Sequence, residues 1–175
     1  MPRNESGRPL LLLVDDERDT YELLKTGMQL YRTGEFQIHY VEHPNMAVEA
    51  INARCYDACV LDIRLKGFSG LNLGDLIREH DVNVPLAYLT GLDTEVARAE
   101  ATRQRAFFWP KQRFSNPKEL IHLLGELVSL NPCVEGKRLD NHGFMRQLPT
   151  TPIEIPAVLR TLVAYSQNKA SAQAA

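Results

Sequence analysis

Residues 10–17 read LLLLVDDE, an apolar run that stops at three consecutive acids. Five apolar residues without a polar interruption suit a strand buried on both faces. Carboxylates paired at its tip repel one another, and partial burial worsens the repulsion. Such an arrangement demands compensating positive charge from elsewhere in the chain.

Outward from this run the apolar period switches repeatedly. Residues 17–31 place Tyr21, Leu24, Met28 and Tyr31 at helical spacing, with Leu23 and Leu30 beside them. FQIHYV (36–41) alternates as a strand, and Pro44 opens a second helix that runs to about Arg54. DACVLD (57–62) is a short apolar strand that again ends on an aspartate, and 70–79 reads as a helix. PLAYLT (85–90) and AFFW (106–109) are strands separated by a polar helix over 93–104. Asn116, Pro117 and Glu119 give a cap, a first-turn proline and a capping-box acid before LIHLLGELVSL.

Five strands alternating with five helices predict an α/β fold, a doubly wound five-stranded parallel sheet covered on both faces. Sites in such sheets form beyond the carboxyl ends of the strands. That rule gathers Asp15, Asp16, Asp62, Thr90 and Lys111 at one edge. Three carboxylates suit a hard, oxygen-seeking cation such as Mg²⁺. A threonine hydroxyl and a lysine ammonium opposite it suit a phosphoryl group, and an aspartate among them can be the nucleophile. The acids at residue 15 onward are then there to hold a metal that neutralises them.

With these residues in place, the chain resembles the receiver domain of two-component response regulators over about residues 8–130. The resemblance is carried by LLVDDE at the first strand, VLDIRL at the third, LTG at the fourth and FFWPK at the fifth. It implies the flavodoxin-like receiver fold, with Asp62 as phosphoacceptor. It further implies Mg²⁺ bound by Asp15, Asp16, Asp62 and the backbone carbonyl of Arg64. Thr90 becomes the switch hydroxyl, Lys111 the charge that pairs with the phosphoryl group, and Phe108 the aromatic switch. Gly70 and Leu71 match the small-then-apolar start of the third helix. Two departures stand out. The family follows its lysine with a cis-proline, where this chain has Pro110 before Lys111 and Gln112 after it. The family also often has a proline four residues after the phosphoacceptor, where Lys66 stands.

Each residue has a plainer reading alone. Asp16 could cap the first helix, Thr90 could be a turn residue, Lys111 a solvated lysine and Phe108 simple core packing. Their joint placement at four strand ends favours the site. The five histidines are scattered and are read as structural or exposed. Cys55, Cys59 and Cys133 complete no metal pattern and read as small, reduced, packed side chains.

The 175 residues, 44% hydrophobic and with a net charge of −2, suit one domain with an appendage and give no reason for a nucleic-acid-coating surface. No apolar run spans a membrane, and MPRNESGRP lacks a signal peptide's apolar segment, so the expected location is the cytoplasm. The expected division is a receiver domain at 1–130, then 131–175 as an irregular linker, a short amphipathic helix and a tail. In that extension Ile155, Val158, Leu159, Leu162 and Val163 share a helical face. Each is worth roughly 1.5–3 kcal/mol if buried, so the face should fold back on the receiver or join a second copy as a homodimer. The extension is short and modestly basic, which argues against direct DNA contact.

The leading expectation is a non-enzymatic, phosphorylation-switched regulator that changes protein–protein contacts with a downstream target. A histidine kinase or histidine phosphotransfer protein would supply the phosphoryl group. Two alternatives remain: a receiver-like binding module that is not phosphorylated, and the receiver fragment of a longer regulator with a separate effector domain.

Overall fold

The computed structural model describes residues 8–31 and 36–130, and the backbone of three short strands at 133–134, 137–139 and 145–147. The elements follow in order: β1 (Leu10–Val14), α1 (Arg18–Leu30), β2 (Gln37–Val41), α2 (Pro44–Ala53), β3 (Ala58–Leu61), β4 (Arg64–Leu65), β5 (Phe68–Ser69), α3 (Gly70–His80), β6 (Leu86–Thr90), α4 (Glu95–Arg103), β7 (Phe107–Pro110) and α5 (Pro117–Ser129). The main sheet has the order β2-β1-β3-β6-β7 and every ladder in it is parallel. This is the expected doubly wound sheet, and its strand order reverses between β1 and β3.

The apolar run at residue 10 serves two cores at once. Leu10, Leu12 and Val14 pack with α2, α3 and α4, through side chains such as Val48, Leu73, Ile77 and Ala97. Leu11 and Leu13 point the other way, onto Leu24 of α1 and Leu120, Ile121 and Leu124 of α5. Alternation is inherent in a strand, so a sheet covered on both faces needs an unbroken apolar run. The three central strands β1, β3 and β6 are buried throughout, whereas the edge strands are partly exposed.

Element boundaries fall within two residues of the sequence reading, with informative exceptions. Asn116 caps α5 by accepting from the Lys118 amide at 2.9 Å. Asp16 does not cap α1; the cap position is Glu17, which makes no side-chain cap bond. The loop after β3 is a small hairpin of β4 and β5 turning at Gly67, whose φ of +70° is one that glycine adopts without steric cost. Lys111–Arg113 forms one 3-10 turn.

The irregular-linker expectation is corrected over part of its length. β8 (Cys133–Val134), β9 (Lys137–Leu139) and β10 (Met145–Gln147) form an antiparallel sheet of order β10-β9-β8. Strand pairing is made by backbone groups, so a polar stretch can join a ladder without any apolar run. Cys59 is buried in β3 as a packing residue, but Cys55 is disulfide-bonded, not reduced. The expected amphipathic helix at 155–163 and the tail lie outside the described residues.

Candidate functional site: an acidic cluster at the strand tips

The sheet places the acids. The Asp15 amide donates to the Val41 carbonyl at 3.3 Å and the Asp62 amide to the Val14 carbonyl at 2.8 Å, so both residues continue ladder positions at adjacent strand ends. Asp15 is 1% exposed, Asp62 6% and Thr90 fully buried. Carboxylates this deep require partners. Asp15 Oδ1 accepts from the Glu17 amide at 2.9 Å. Asp62 Oδ1 accepts from the Thr90 hydroxyl at 2.7 Å and the Arg64 amide at 3.1 Å.

The compensating cation that the acid run calls for is Lys111. Its Nζ lies 2.8 Å from Asp15 Oδ2 and 2.9 Å from Asp62 Oδ2, with the exposed Glu17 carboxylate at 3.6 Å. The exit from β7 by Pro110 and Gln112 does not prevent this reach, and no cis peptide occurs among the described residues. Burial raises the Asp15 pKa above the usual carboxylate range, against the lowering effect of the Lys111 and Glu17 bonds. For Lys111, burial works against the charge, but bonds to Asp15 and Asp62 outweigh it and raise its pKa.

One ammonium cannot neutralise three carboxylates. Oxygens of Asp15, Asp16 and Asp62 all lie within 4.8 Å of one another, a hard donor set that fits Mg²⁺. Phe108 is half-buried against the α2–α4 core, and the Arg98 guanidinium lies over its ring at 4.8 Å. Arg64 is exposed, and its guanidinium leans toward Gly91.

Two contributions escaped the sequence reading. A Cβ on Gly70 would sit 1.8 Å from the Asp62 carbonyl oxygen, so the start of α3 rests against the acceptor's own backbone. The only sequence signal was the small residue at that position. The second is Gln112, whose Nε2 donates to the Gly91 carbonyl at 3.1 Å. Its signal was a polar side chain where the resemblance expects proline.

Residues 11–122 match a family model described as the response regulator receiver domain. The chain is 24% identical over 164 residues to the transcriptional regulatory protein TdiR of Thauera aromatica, covering 91% of this chain and 68% of TdiR. It is 34% identical over 86 residues to the regulatory protein VanR of Enterococcus faecium, covering 49% of this chain and 36% of VanR. For the response regulator SaeR of Staphylococcus epidermidis the identity is 26% over 157 residues, 83% of this chain and 66% of SaeR. The chain thus spans between 36% and 68% of the length of these curated relatives. Among solved structures, the non-phosphorylated HemR receiver domain from Leptospira biflexa superposes with a TM-score of 0.60 at 25% identity, over 70% of this chain and 96% of that one. The response regulator TrrA from Thermotoga maritima, in complex with Mg²⁺–BeF, gives 0.56 at 26% identity over 68% and 98%.

Proposed function

This chain belongs to the response regulator receiver family of two-component signalling modules, and from that premise we propose that it is switched by phosphorylation of Asp62. The carrying observation is the division of labour at that carboxylate. One oxygen is held by the Thr90 hydroxyl and the Arg64 amide, the other by the Lys111 ammonium.

The reaction is attack of an Asp62 carboxylate oxygen on the phosphorus of a phosphohistidine. An O–P bond forms, the N–P bond breaks, and the imidazole leaves with the electron pair and takes a proton. Asp15, Asp16, Asp62 and the Arg64 carbonyl would hold Mg²⁺, which supplies charge neutralisation for the phosphoryl oxygens. Lys111 holds the acids together before transfer and pairs with the added negative charge after it. The Thr90 hydroxyl donates on the opposite side of the carboxylate.

The output is a changed protein contact at the face of α4 and β7. Val96 is 79% and Phe107 48% exposed there, beside the half-buried Phe108 that acts as the switch aromatic. The phosphodonor is a histidine kinase or a histidine phosphotransfer protein, and the setting is the cytoplasm; among the described residues no helix is long and apolar enough to cross a membrane. The reach of Lys111 to both acids weighs against the unphosphorylated-module alternative. TdiR is named as a transcriptional regulator, so the sequence-based argument against DNA contact does not stand on its own. The extension that this argument and the C-terminal homodimer both invoke lies beyond residue 130.

The test is incubation with Mg²⁺ and acetyl phosphate, followed by mass spectrometry. The parent should gain one phosphoryl group, and Asp62→Asn, with an amide of similar volume, should gain none. Undiminished label on the variant would move the acceptor elsewhere.

A further inference from the structure

The ladder between β6 and β7 ends at the pair Thr90–Pro110, because the chain turns at Lys111 into a 3-10 turn. A ladder that stops removes the strand neighbour that would supply backbone donors to the next carbonyl, that of Gly91. The side chain of Gln112 provides a donor instead, with Nε2 at 3.1 Å from the Gly91 oxygen. That oxygen belongs to the same planar peptide unit as the Leu92 N–H.

The Leu92 N–H donates to Thr90 Oγ1 at 3.1 Å, and the Thr90 hydroxyl donates to Asp62 Oδ1 at 2.7 Å. The other Asp62 oxygen takes Lys111 Nζ at 2.9 Å. Lys111 is the covalent neighbour of Gln112. A ring is thereby closed, running from one Asp62 oxygen through Thr90, the Gly91–Leu92 peptide, Gln112 and Lys111 to the other oxygen.

We propose that Gln112 is a positioning residue, holding the Gly91–Leu92 peptide so that the Thr90 hydroxyl stays aimed at Asp62. The inference rests on the reading of Asp62 as phosphoacceptor. A hydroxyl that accepts from the Leu92 N–H must send its own proton elsewhere, and Asp62 Oδ1 is the acceptor within reach. Glycine at position 91 gives the backbone little intrinsic stiffness, so the peptide's orientation depends on what grips it. Gln112 grips the carbonyl. The Arg64 Nη2 also lies close by, 3.3 Å from where a Cβ at Gly91 would stand. Successive hydrogen bonds in such a chain polarise one another, so the grip is felt at the carboxylate.

The experiment compares the full chain with Gln112→Met and Gln112→Glu, which keep side-chain length and lose the N–H donor, and with Gln112→Arg, which keeps a donor. The unphosphorylated proteins are first assayed by amide hydrogen exchange at Leu92, with the core amide of Leu61 as control. Phosphorylation by acetyl phosphate in Mg²⁺ is then timed. The Met and Glu variants should exchange faster at Leu92 with Leu61 unchanged, and should be phosphorylated about three- to tenfold more slowly, the scale of one hydrogen bond. Gln112→Arg should restore both. Parent-like exchange at Leu92 in Gln112→Met would overturn the proposal. So would faster exchange at Leu92 and Leu61 together, which signals general loosening, or faster Leu92 exchange with an unchanged rate. A parent that accepts no phosphoryl group would instead sink the reading of Asp62, while the exchange comparison still reports whether Gln112 orders the peptide.

Discussion

Replacing Lys111 with methionine keeps the length of the side chain and removes the only ammonium bonded to Asp15 and Asp62 among the described residues. Two charge-assisted hydrogen bonds are lost, each worth about 1.5–3 kcal/mol. Lys111 has 23% of its side chain exposed, so water already screens its bonds in the parent and each is worth less than a fully buried one. Asp15 at 1% exposure cannot rehydrate once its bond is lost. The net destabilisation expected without metal at pH 7 is about 3 kcal/mol, at the lower end of the cost of breaking a buried pair. The sign of the pH dependence follows from Asp15. Burial holds its folded pKa above the unfolded value, so its ionisation costs stability as pH rises past about 4. Without Lys111 that cost is larger, and the variant's deficit should shrink as pH falls from neutral. Mg²⁺, a replacement cation, should stabilise the variant more than the parent. Urea unfolding in EDTA and in Mg²⁺, at neutral and mildly acidic pH, reads all three outcomes. Equal midpoints at pH 7 in EDTA, or a deficit that grows on acidification, would refute the charge-compensation argument.

Gly70→Ala forces a Cβ to within 1.8 Å of the Asp62 carbonyl oxygen unless backbone moves; it should cost about 3 kcal/mol, and a parent-like melting temperature would show that α3 shifts freely. Leu92 stands two residues after Thr90, and its N–H donates to the Thr90 hydroxyl oxygen at 3.1 Å. Leu92→Glu, which would offer an approaching water a hydrogen-bond partner, should speed loss of phosphate by roughly tenfold, about 1.4 kcal/mol of barrier; equal phosphate release from purified parent and variant phosphoprotein in Mg²⁺ would discard the idea. His80 is nine-tenths buried, its Nδ1 has no hydrogen-bond partner among the described residues, and burial lowers its pKa. The unfolded chain therefore binds the proton more readily, and stability present above about pH 6.5 should be lost as pH falls. His80→Leu should lose less stability than the parent between pH 7.5 and 5.5, and identical slopes would assign the acid sensitivity elsewhere, with His39 as the next candidate since its pKa is lowered too.

The layout of the molecule was legible because it rests on local periods. LLLLV, ACVL and LAYLT are continuous apolar runs and all three became central strands. The polar 93–104 segment, which looked poorly amphipathic, still formed α4, because Ala97 and Ala101 suffice to seat it on the core and Thr94 caps it. The site was legible in outline for a related reason: strand ends in a parallel sheet lie at one edge, so residues at four ends must converge. The hairpin at Gly67 was not legible, since two-residue strands carry no period.

Sequence by itself determined the alternating α/β order, the acid cluster at the strand tips and the identity of the family. Tertiary structure alone decided which oxygen each partner takes, with Lys111 reaching Asp15 across 96 positions and Asp62 across 49. It alone brought Gln112 to Gly91 and Gly70 against the Asp62 backbone. The physical reason is range. A period of two or 3.6 residues is set by neighbours along the chain and can be read from them. A bond of about 3 Å between loops depends on the rotamers and turn geometry of several segments at once, and these are fixed only when the two cores have packed.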